Sequence, residues 1–191
     1  MGADMQLRER ILDAGTKCFN DSGIKFTMDD IAKCLSISKK TIYTVFADKQ
    51  ELLLAMVDHV FDAIKVSEEE ILQDETMDTI SKIKAIMGVM PECYKEMDFG
   101  KLSILRDRYP EIYRAVENRL ETGWEKTIAL LEQGMKEGVV RPVPVPIVKL
   151  MLEATLEQFF QRDILKQNNL TYQDALKEVV TVIVSGIAVR T

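Results

Sequence analysis

The sequence predicts an all-α protein: an N-terminal three-helix unit containing a helix-turn-helix, followed by a longer helical domain. Apolar residues recur at helical spacing along nearly all 191 residues, and no segment alternates with the period of two typical of strands. Two short helical patterns flank a tight turn at residues 35–37. With 47% hydrophobic and 29% charged residues, the composition is that of a globular protein.

The first predicted helix covers residues 5–21. Leu7, Ile11, Ala14 and Cys18 recur at positions i, i+4, i+7 and i+11, which places them on one face. Gly23 follows this pattern and can adopt the left-handed conformation that ends many helices.

Two short helices follow, each with its own N-cap. Thr27 is the predicted N-cap of a helix over residues 28–34, and Ser38 that of a helix over residues 39–46. Residues 35–37 are too few for anything but a tight turn between them.

The next helix begins after Asp48, with Glu51 three residues later in a capping-box pattern, and its apolar residues continue to Ile64. The rest of the chain is also predicted to be helical. The expected segments are residues 80–87, 102–108, one long helix over 110–138, a helix over 146–167 after a proline-rich stretch, and a last helix over 172–189 capped by Thr171.

The charge is unevenly distributed. The net charge is −6, but residues 1–50 carry +1 and residues 51–191 carry −7. Residues 33–49 hold four lysines against Asp48, a local charge of +3. A cationic patch on an acidic body is typical of a protein that meets a polyanion with one face only.

The helix-turn-helix explains that patch. The first short helix braces the second, which then presents its N-terminal residues to a DNA major groove. Lysine and threonine can contact base edges or phosphates, and free backbone N–H groups at a helix start favour phosphate. The expected DNA contacts are Lys39, Lys40, Thr41 and Thr44, with Tyr43 and Lys49 toward phosphates.

Other classes of site lack the residues they need. His59 is the only histidine, and three cysteines without metal-ligand spacing predict neither a metal site nor a disulfide framework. No nucleophile elbow, phosphate loop or dinucleotide motif is present, so we expect no catalytic residues and no cofactor. The longest apolar stretch is shorter than the ~20 residues of a membrane span, and we expect a soluble, cytoplasmic protein without membrane contact.

Residues 8–57 resemble the N-terminal domain of TetR-family transcriptional regulators. The resemblance depends on a run of matched positions: residues 10–14, Phe19, Gly23, Thr27, residues 31–32, 38–39 and 41–43, Phe46, Lys49 and residues 51–53. It implies two-domain all-α subunits, a homodimer formed through the last two helices, and a C-terminal ligand pocket whose occupation relieves repression.

The resemblance also assigns roles to single positions. It implies DNA contacts by Thr27, Lys39, Thr41, Tyr43 and Lys49, and Met28 occupies a position where some members read bases. Ser36 stands where the family often has glycine. A left-handed serine in that turn costs on the order of 1 kcal/mol.

A single helix-turn-helix reads few base pairs, so the prediction requires a dimer with its two copies about 34–36 Å apart on a palindromic operator. The apolar stripes of the last two helices provide candidates. The predicted interface residues are Met151, Thr155, Val180, Ile183, Val184 and Ile187. The alternative is that the last helix is the core helix of a monomer.

Seven of the ten methionines follow residue 50, and methionine lines adaptable apolar cavities. The predicted ligand is apolar or amphipathic, with few charge contacts. The predicted pocket residues are Phe61, Ile64, Met87, Met90, Tyr94, Phe99, Tyr113, Trp124 and Phe159. The alternative is that these side chains form ordinary core.

Together these observations predict a DNA-binding domain over residues 1–50 and a ligand-binding and dimerisation domain over residues 51–191. The predicted function is a dimeric repressor released from its operator by a small molecule. A ligand-dependent activator and a helical interaction module without DNA binding are the alternatives.

Overall fold

The computed structural model describes residues 2–94, 102–162 and 164–189, and within these ranges the protein is all-α. The helices are α1 (Gly2–Ser22), α2 (Met28–Leu35), α3 (Lys39–Tyr43), α4 (Lys49–Gln73), α5 (Thr79–Met87), α6 (Ser103–Arg108), α7 (Pro110–Glu121), α8 (Glu125–Lys136), α9 (Val145–Gln161), α10 (Ile164–Gln167) and α11 (Tyr172–Ile187). Short 3-10 turns cover Gly23–Lys25 and Glu92–Tyr94.

The N-terminal unit packs α1 against α2 and α4, and α2 against α3. Phe19, Ile31, Ile42, Phe46 and Leu52 are almost completely buried in its core. The expected left-handed glycine after α1 is confirmed, since Gly23 has φ 58°.

The C-terminal part packs α5 against α8 and α11, and α9 against α11. Its most buried side chains include Ile83, Leu105, Ile112 and Leu131. The end of α11 is fastened by two backbone bonds, from Arg141 N to Ile187 O (2.8 Å) and from Val189 N to Val139 O (2.9 Å).

Helix α4 joins the two parts, because it contacts α1 as well as α5 and α7. The predicted domain boundary at residue 50 falls in the first turn of this helix. The division into residues 1–50 and 51–191 therefore stays a prediction.

The prediction of one long helix over residues 110–138 is wrong, because the chain turns at residues 122–124. Gly123 adopts φ 76°, outside the helical region. The last carbonyls of α7 are bonded by side chains instead: the Thr122 hydroxyl donates to Asn118 O and Trp124 Nε1 donates to Leu120 O, both at 2.7 Å. These bonds lie at the end of α7, and α8 begins at Glu125.

Two further helices are shorter than predicted. Helix α9 ends at Gln161, where Arg162 takes an extended conformation, so the predicted helix to residue 167 is interrupted. Helix α3 ends at Tyr43 and not at Phe46, since residues 44–46 form turns whose N–H groups bond back to residues 40–42. Phe46 nevertheless remains a core residue.

Candidate nucleic-acid interface and ligand cavity

Both short helices begin with the predicted N-caps. The Thr27 hydroxyl accepts from Asp30 N, and the Asp30 carboxylate accepts in return from the Thr27 hydroxyl and the Thr27 backbone N–H. These bonds, first the one from the Thr27 side chain, lower the pKa of Asp30. Ser38 Oγ accepts from Thr41 N at 3.1 Å. The start of each helix is thus fixed by its own sequence.

The turn between α2 and α3 has the left-handed serine that the family resemblance implies. Ser36 lies at φ 54° and ψ 41°, and its N–H bonds back to the end of α2. The turn places α3 across α2, with Ile42 completely buried between them and the core. One face of α3 is therefore anchored and the other is free to meet a partner.

The free face of α3 is polar and cationic. Lys40, Tyr43 and Thr44 are exposed, and Lys39 is half-exposed. Lys39 Nζ bonds Asp29 Oδ2 on α2 at 2.9 Å, and this hydrogen bond raises the pKa of Lys39. Lys40 makes no ion pair with the described residues, which leaves its ammonium available to a polyanion.

The threonines of the predicted site are partly used for structure. The Thr27 hydroxyl belongs to the cap of α2, the Thr41 hydroxyl lies 2.8 Å from the Ser38 hydroxyl, and the Thr44 hydroxyl donates to Thr41 O. All three lie on the outer side of the motif, where an oxygen can still accept a further bond. Their contact with DNA stays a prediction.

Two predicted DNA contacts lie elsewhere than expected. Met28 is 5% exposed and packs in the core, so its side chain is not on the DNA-facing surface. The Lys49 ammonium is turned inward: it donates to the carbonyls of Ile24 and Phe26 and lies over the Phe26 ring. Burial lowers the pKa of Lys49. Both side chains thus contribute to the folded domain, and the Lys49 ammonium is not free to bind a phosphate.

Helix α4 carries several contacts between the two parts of the chain. Gln50 Nε2 donates to Glu111 on α7 at 2.6 Å. Nearer its middle, His59 lies 3.4 Å from Asp13 on α1. Helix α4 is therefore bonded both to α1 of the N-terminal unit and to α7 of the C-terminal part.

A cavity of about 150 Å³ lies beside α4. Its walls come from α1 and from α4 to α9 and α11, and most of its lining residues are apolar. Five predicted pocket residues line it: Phe61, Ile64, Met87, Met90 and Trp124. The apolar lining fits a small apolar or amphipathic molecule.

The remaining predicted pocket residues divide into two groups. Tyr94, Tyr113 and Phe159 are buried but do not line the cavity, and the neighbouring Phe160 lines it in place of Phe159. Phe99 lies outside the described residues. Residue spacing identifies the apolar faces, but it does not show which of two adjacent phenylalanines points into a gap.

Sequence reasoning missed the polar side of the cavity. The Lys65 ammonium bonds both carboxylate oxygens of Glu68 at 2.8 Å and Gly123 O at 2.6 Å, and Glu68 is 5% exposed. Glu68 is one of three consecutive glutamates, which are normally a solvated surface. Glu68 is buried, unlike its two neighbours, because α4 packs there against the turn at residues 122–124.

The predicted dimer residues do not share one exposed surface. Val180, Ile183, Val184 and Ile187 are each 6% exposed or less and belong to the core of the subunit. The exposed positions of α11 next to them are Val182, Ser185 and Gly186. The predicted Met151 on α9 is also exposed, while Thr155 is half-buried. The exposed apolar residues of α9 and the α11 region are Ile147, Leu150, Met151, Val182 and Val189, which we call the α9–α11 surface.

Within the described residues, no group of three or more His, Cys, Asp or Glu side chains converges to hold a metal ion. None of the described helices has both the length and the apolar character needed to cross a membrane.

Comparison with known proteins adds an independent observation. Residues 11–56 match the family model for bacterial regulatory proteins of the tetR family. The chain is 23% identical over 179 residues to the uncharacterized HTH-type transcriptional regulator YvaF of Bacillus subtilis (strain 168), covering 94% of both chains.

Solved structures share the whole fold. The TetR family transcriptional regulator PfmR from Thermus thermophilus aligns with TM-score 0.61 at 21% identity, covering 92% of this chain and 97% of that one. The transcriptional regulator FadR from Bacillus subtilis, in complex with stearoyl-CoA, aligns with TM-score 0.57 at 19% identity over 94% of this chain and 98% of that one.

Proposed function

Because the chain belongs to the TetR family of transcriptional regulators, which are not enzymes, we propose that it is a dimeric repressor released from a palindromic operator by a small apolar or amphipathic ligand. The observation that carries this proposal is the exposed face of α3, with Lys39, Lys40 and Tyr43 presented on a helix whose other face is fixed in the core. As a regulator of transcription it acts in the cytoplasm.

The α9–α11 surface supports the dimer. It exposes five large apolar side chains, and Ile147, Leu150, Met151 and Val182 are each more than half exposed in the isolated subunit. Exposed apolar side chains in this number are typical of a protein interface. We propose that two subunits pair through it, with Thr155 at its border and with the predicted Val180, Ile183, Val184 and Ile187 supporting it from within.

The cavity supports the ligand. It is bounded by α4, which also contacts α1, so a molecule that favours a different position of α4 also changes the positions of the two α3 helices in a dimer. FadR from Bacillus subtilis has been solved with stearoyl-CoA, which joins an apolar chain to a polar group. The apolar lining of the cavity likewise fits a ligand with an apolar part.

The alternative of a ligand-dependent activator uses the same surfaces. The two are separated by transcription in vitro from a promoter that carries the operator selected by this protein from random duplexes. A repressor lowers the transcript level in proportion to operator occupancy. An increase in transcript contradicts the repressor, and no operator selection at all contradicts DNA binding and favours the interaction module.

A further inference from the structure

The polar side of the cavity is formed by Lys65, Glu68 and Gly123, and their bonding capacity specifies what kind of ligand they can accept. This inference rests on the proposed ligand cavity. It concerns the polar group of the ligand, which the apolar walls of the cavity do not determine.

The Lys65 ammonium has no donor left. It carries three N–H groups, and it has three acceptors: Oε1 and Oε2 of Glu68 and the carbonyl of Gly123. The geometry depends on Gly123, because a Cβ atom there would lie 2.9 Å from Lys65 Cε. An anionic ligand group can therefore bind Lys65 only by taking it away from an existing partner.

Glu68 is in the opposite situation. Its carboxylate offers about four acceptor sites, and within the described residues its bonds are the two from Lys65. The side chain is 7% exposed, so water has little access to the unused sites. Spare acceptor capacity on a buried carboxylate favours a ligand that brings an N–H or O–H donor.

The other polar groups in the cavity wall add few donors. Arg119 is paired with Asp58 and Asp62, Trp124 Nε1 donates to Leu120 O, and the Thr16 hydroxyl donates to Leu12 O. The Thr122 hydroxyl is bonded in the same way to Asn118 O. Thr127 can still donate or accept through its hydroxyl.

We infer that the ligand carries a protonated amine on an apolar body, and that the Glu68 carboxylate accepts its N–H while Lys65 stays in place. An anion would have to break the pair and leave a buried carboxylate without its cation, which is strongly unfavourable. A cation adds to the pair instead. The net charge of −7 over residues 51–191 also favours a cation over an anion near this part of the chain.

The test is a set of matched probes: 4-phenylbutylamine, 4-phenylbutanol and 5-phenylpentanoate, which each carry a phenyl ring on four methylene groups. Trp124 is the only tryptophan and lines the cavity, so its fluorescence reports occupation directly. The expected order of affinity is amine, then alcohol, then carboxylate, with at least about tenfold between the first and the last. Equal or tighter binding of the carboxylate, or no binding of the amine, overturns the inference.

Two variants locate the effect. Glu68→Gln keeps the shape but removes the charge, and should cost the amine about tenfold in affinity while improving that of the carboxylate, because Lys65 is released. Glu70→Gln changes an exposed neighbour on the same helix and should leave the order unchanged. If Glu68→Gln does not fold, the order of the three probes on the unmodified protein still decides.

Operator affinity measured in the presence of each probe separates this inference from the proposed function. If the amine binds at the cavity but leaves affinity for the selected operator unchanged, the release mechanism fails and the assignment of Glu68 stands. If operator affinity responds to the carboxylate and not to the amine, the cavity functions as proposed and the assignment of Glu68 is wrong.

Discussion

Lys39 Nζ lies 2.9 Å from Asp29 Oδ2, so the first residue of α3 is bonded to the first turn of α2. Both side chains are about half exposed, at 45% and 54%. On DNA the ammonium must exchange this carboxylate for a phosphate or a guanine, and the freed carboxylate then lies close to a polyanion. Asp29 therefore opposes binding at sites where it gains nothing in return.

We expect Asp29→Asn to bind a mixed-sequence duplex about three- to tenfold more tightly, because Lys39 is released and one negative charge is removed from the DNA-facing side. Stability should change little, since the pair is exposed. Fluorescence anisotropy at several salt concentrations measures the affinity. Asp107→Asn, an exposed aspartate of α6, is the control; the interpretation is wrong if both variants bind alike.

Replacing Ser36 by glycine should stabilise the protein. Ser36→Gly should raise the free energy of unfolding by about 1 kcal/mol, because glycine adopts the left-handed conformation without the steric cost that serine carries. Ser36→Ala keeps the Cβ atom and should bring no such gain. Urea denaturation followed by circular dichroism compares the three proteins, and equal midpoints for serine and glycine would rule out strain at this turn.

Substitutions of Lys49 and Lys40 should have different effects: the first on stability and the second on DNA binding. Lys49→Met loses two hydrogen bonds to carbonyls and should destabilise the protein by about 1–2 kcal/mol. Lys40→Met changes an exposed side chain, so it should leave the unfolding midpoint unchanged and weaken DNA binding severalfold. Denaturation and anisotropy on the same samples give both values. A Lys49→Met protein of normal stability that fails to bind DNA would restore the phosphate role.

A charged substitution tests whether the α9–α11 surface is the dimer interface. Val182→Glu places a carboxylate where the side chain is 68% exposed in the isolated subunit, and it should convert the dimer to monomers without loss of helix content. Val66→Glu alters a similarly exposed valine of α4, at 60%, and should stay dimeric. Sedimentation velocity distinguishes the two. Monomers before any substitution, or dimers of Val182→Glu, exclude this interface.

Much of the N-terminal unit follows from local sequence. Thr27, Ser38 and Asp48 each accept a backbone N–H three residues later, as N-caps do, and this depends on residues within one turn. The left-handed conformation of Ser36 is likewise a local feature, and it is expected because the TetR family often has glycine at this position. Such features are readable because nothing distant in the chain decides them.

Other features depend on contacts between distant residues. The direction of Lys49 is set by carbonyls 23 and 25 residues earlier, and the burial of Glu68 by a lysine that also bonds Gly123, 58 residues away from it. The stripe on α11 shows helical spacing, but spacing alone does not say which side meets the core. For that reason Val180, which is predicted at the dimer interface, lies in the core, while Val182, for which no role is predicted, is exposed.

In the proposed dimer, the exposed face of α3 enters a major groove once in each subunit. We would test this by selecting duplexes from a random pool with the unmodified protein, followed by nuclease protection and by binding of the Lys40→Ala, Tyr43→Ala double variant. We expect a palindrome whose half-sites are about 34–36 Å apart, with at least about tenfold weaker binding by a variant that remains folded and dimeric. If no palindrome is enriched, or if that variant binds equally well, α3 does not read the operator.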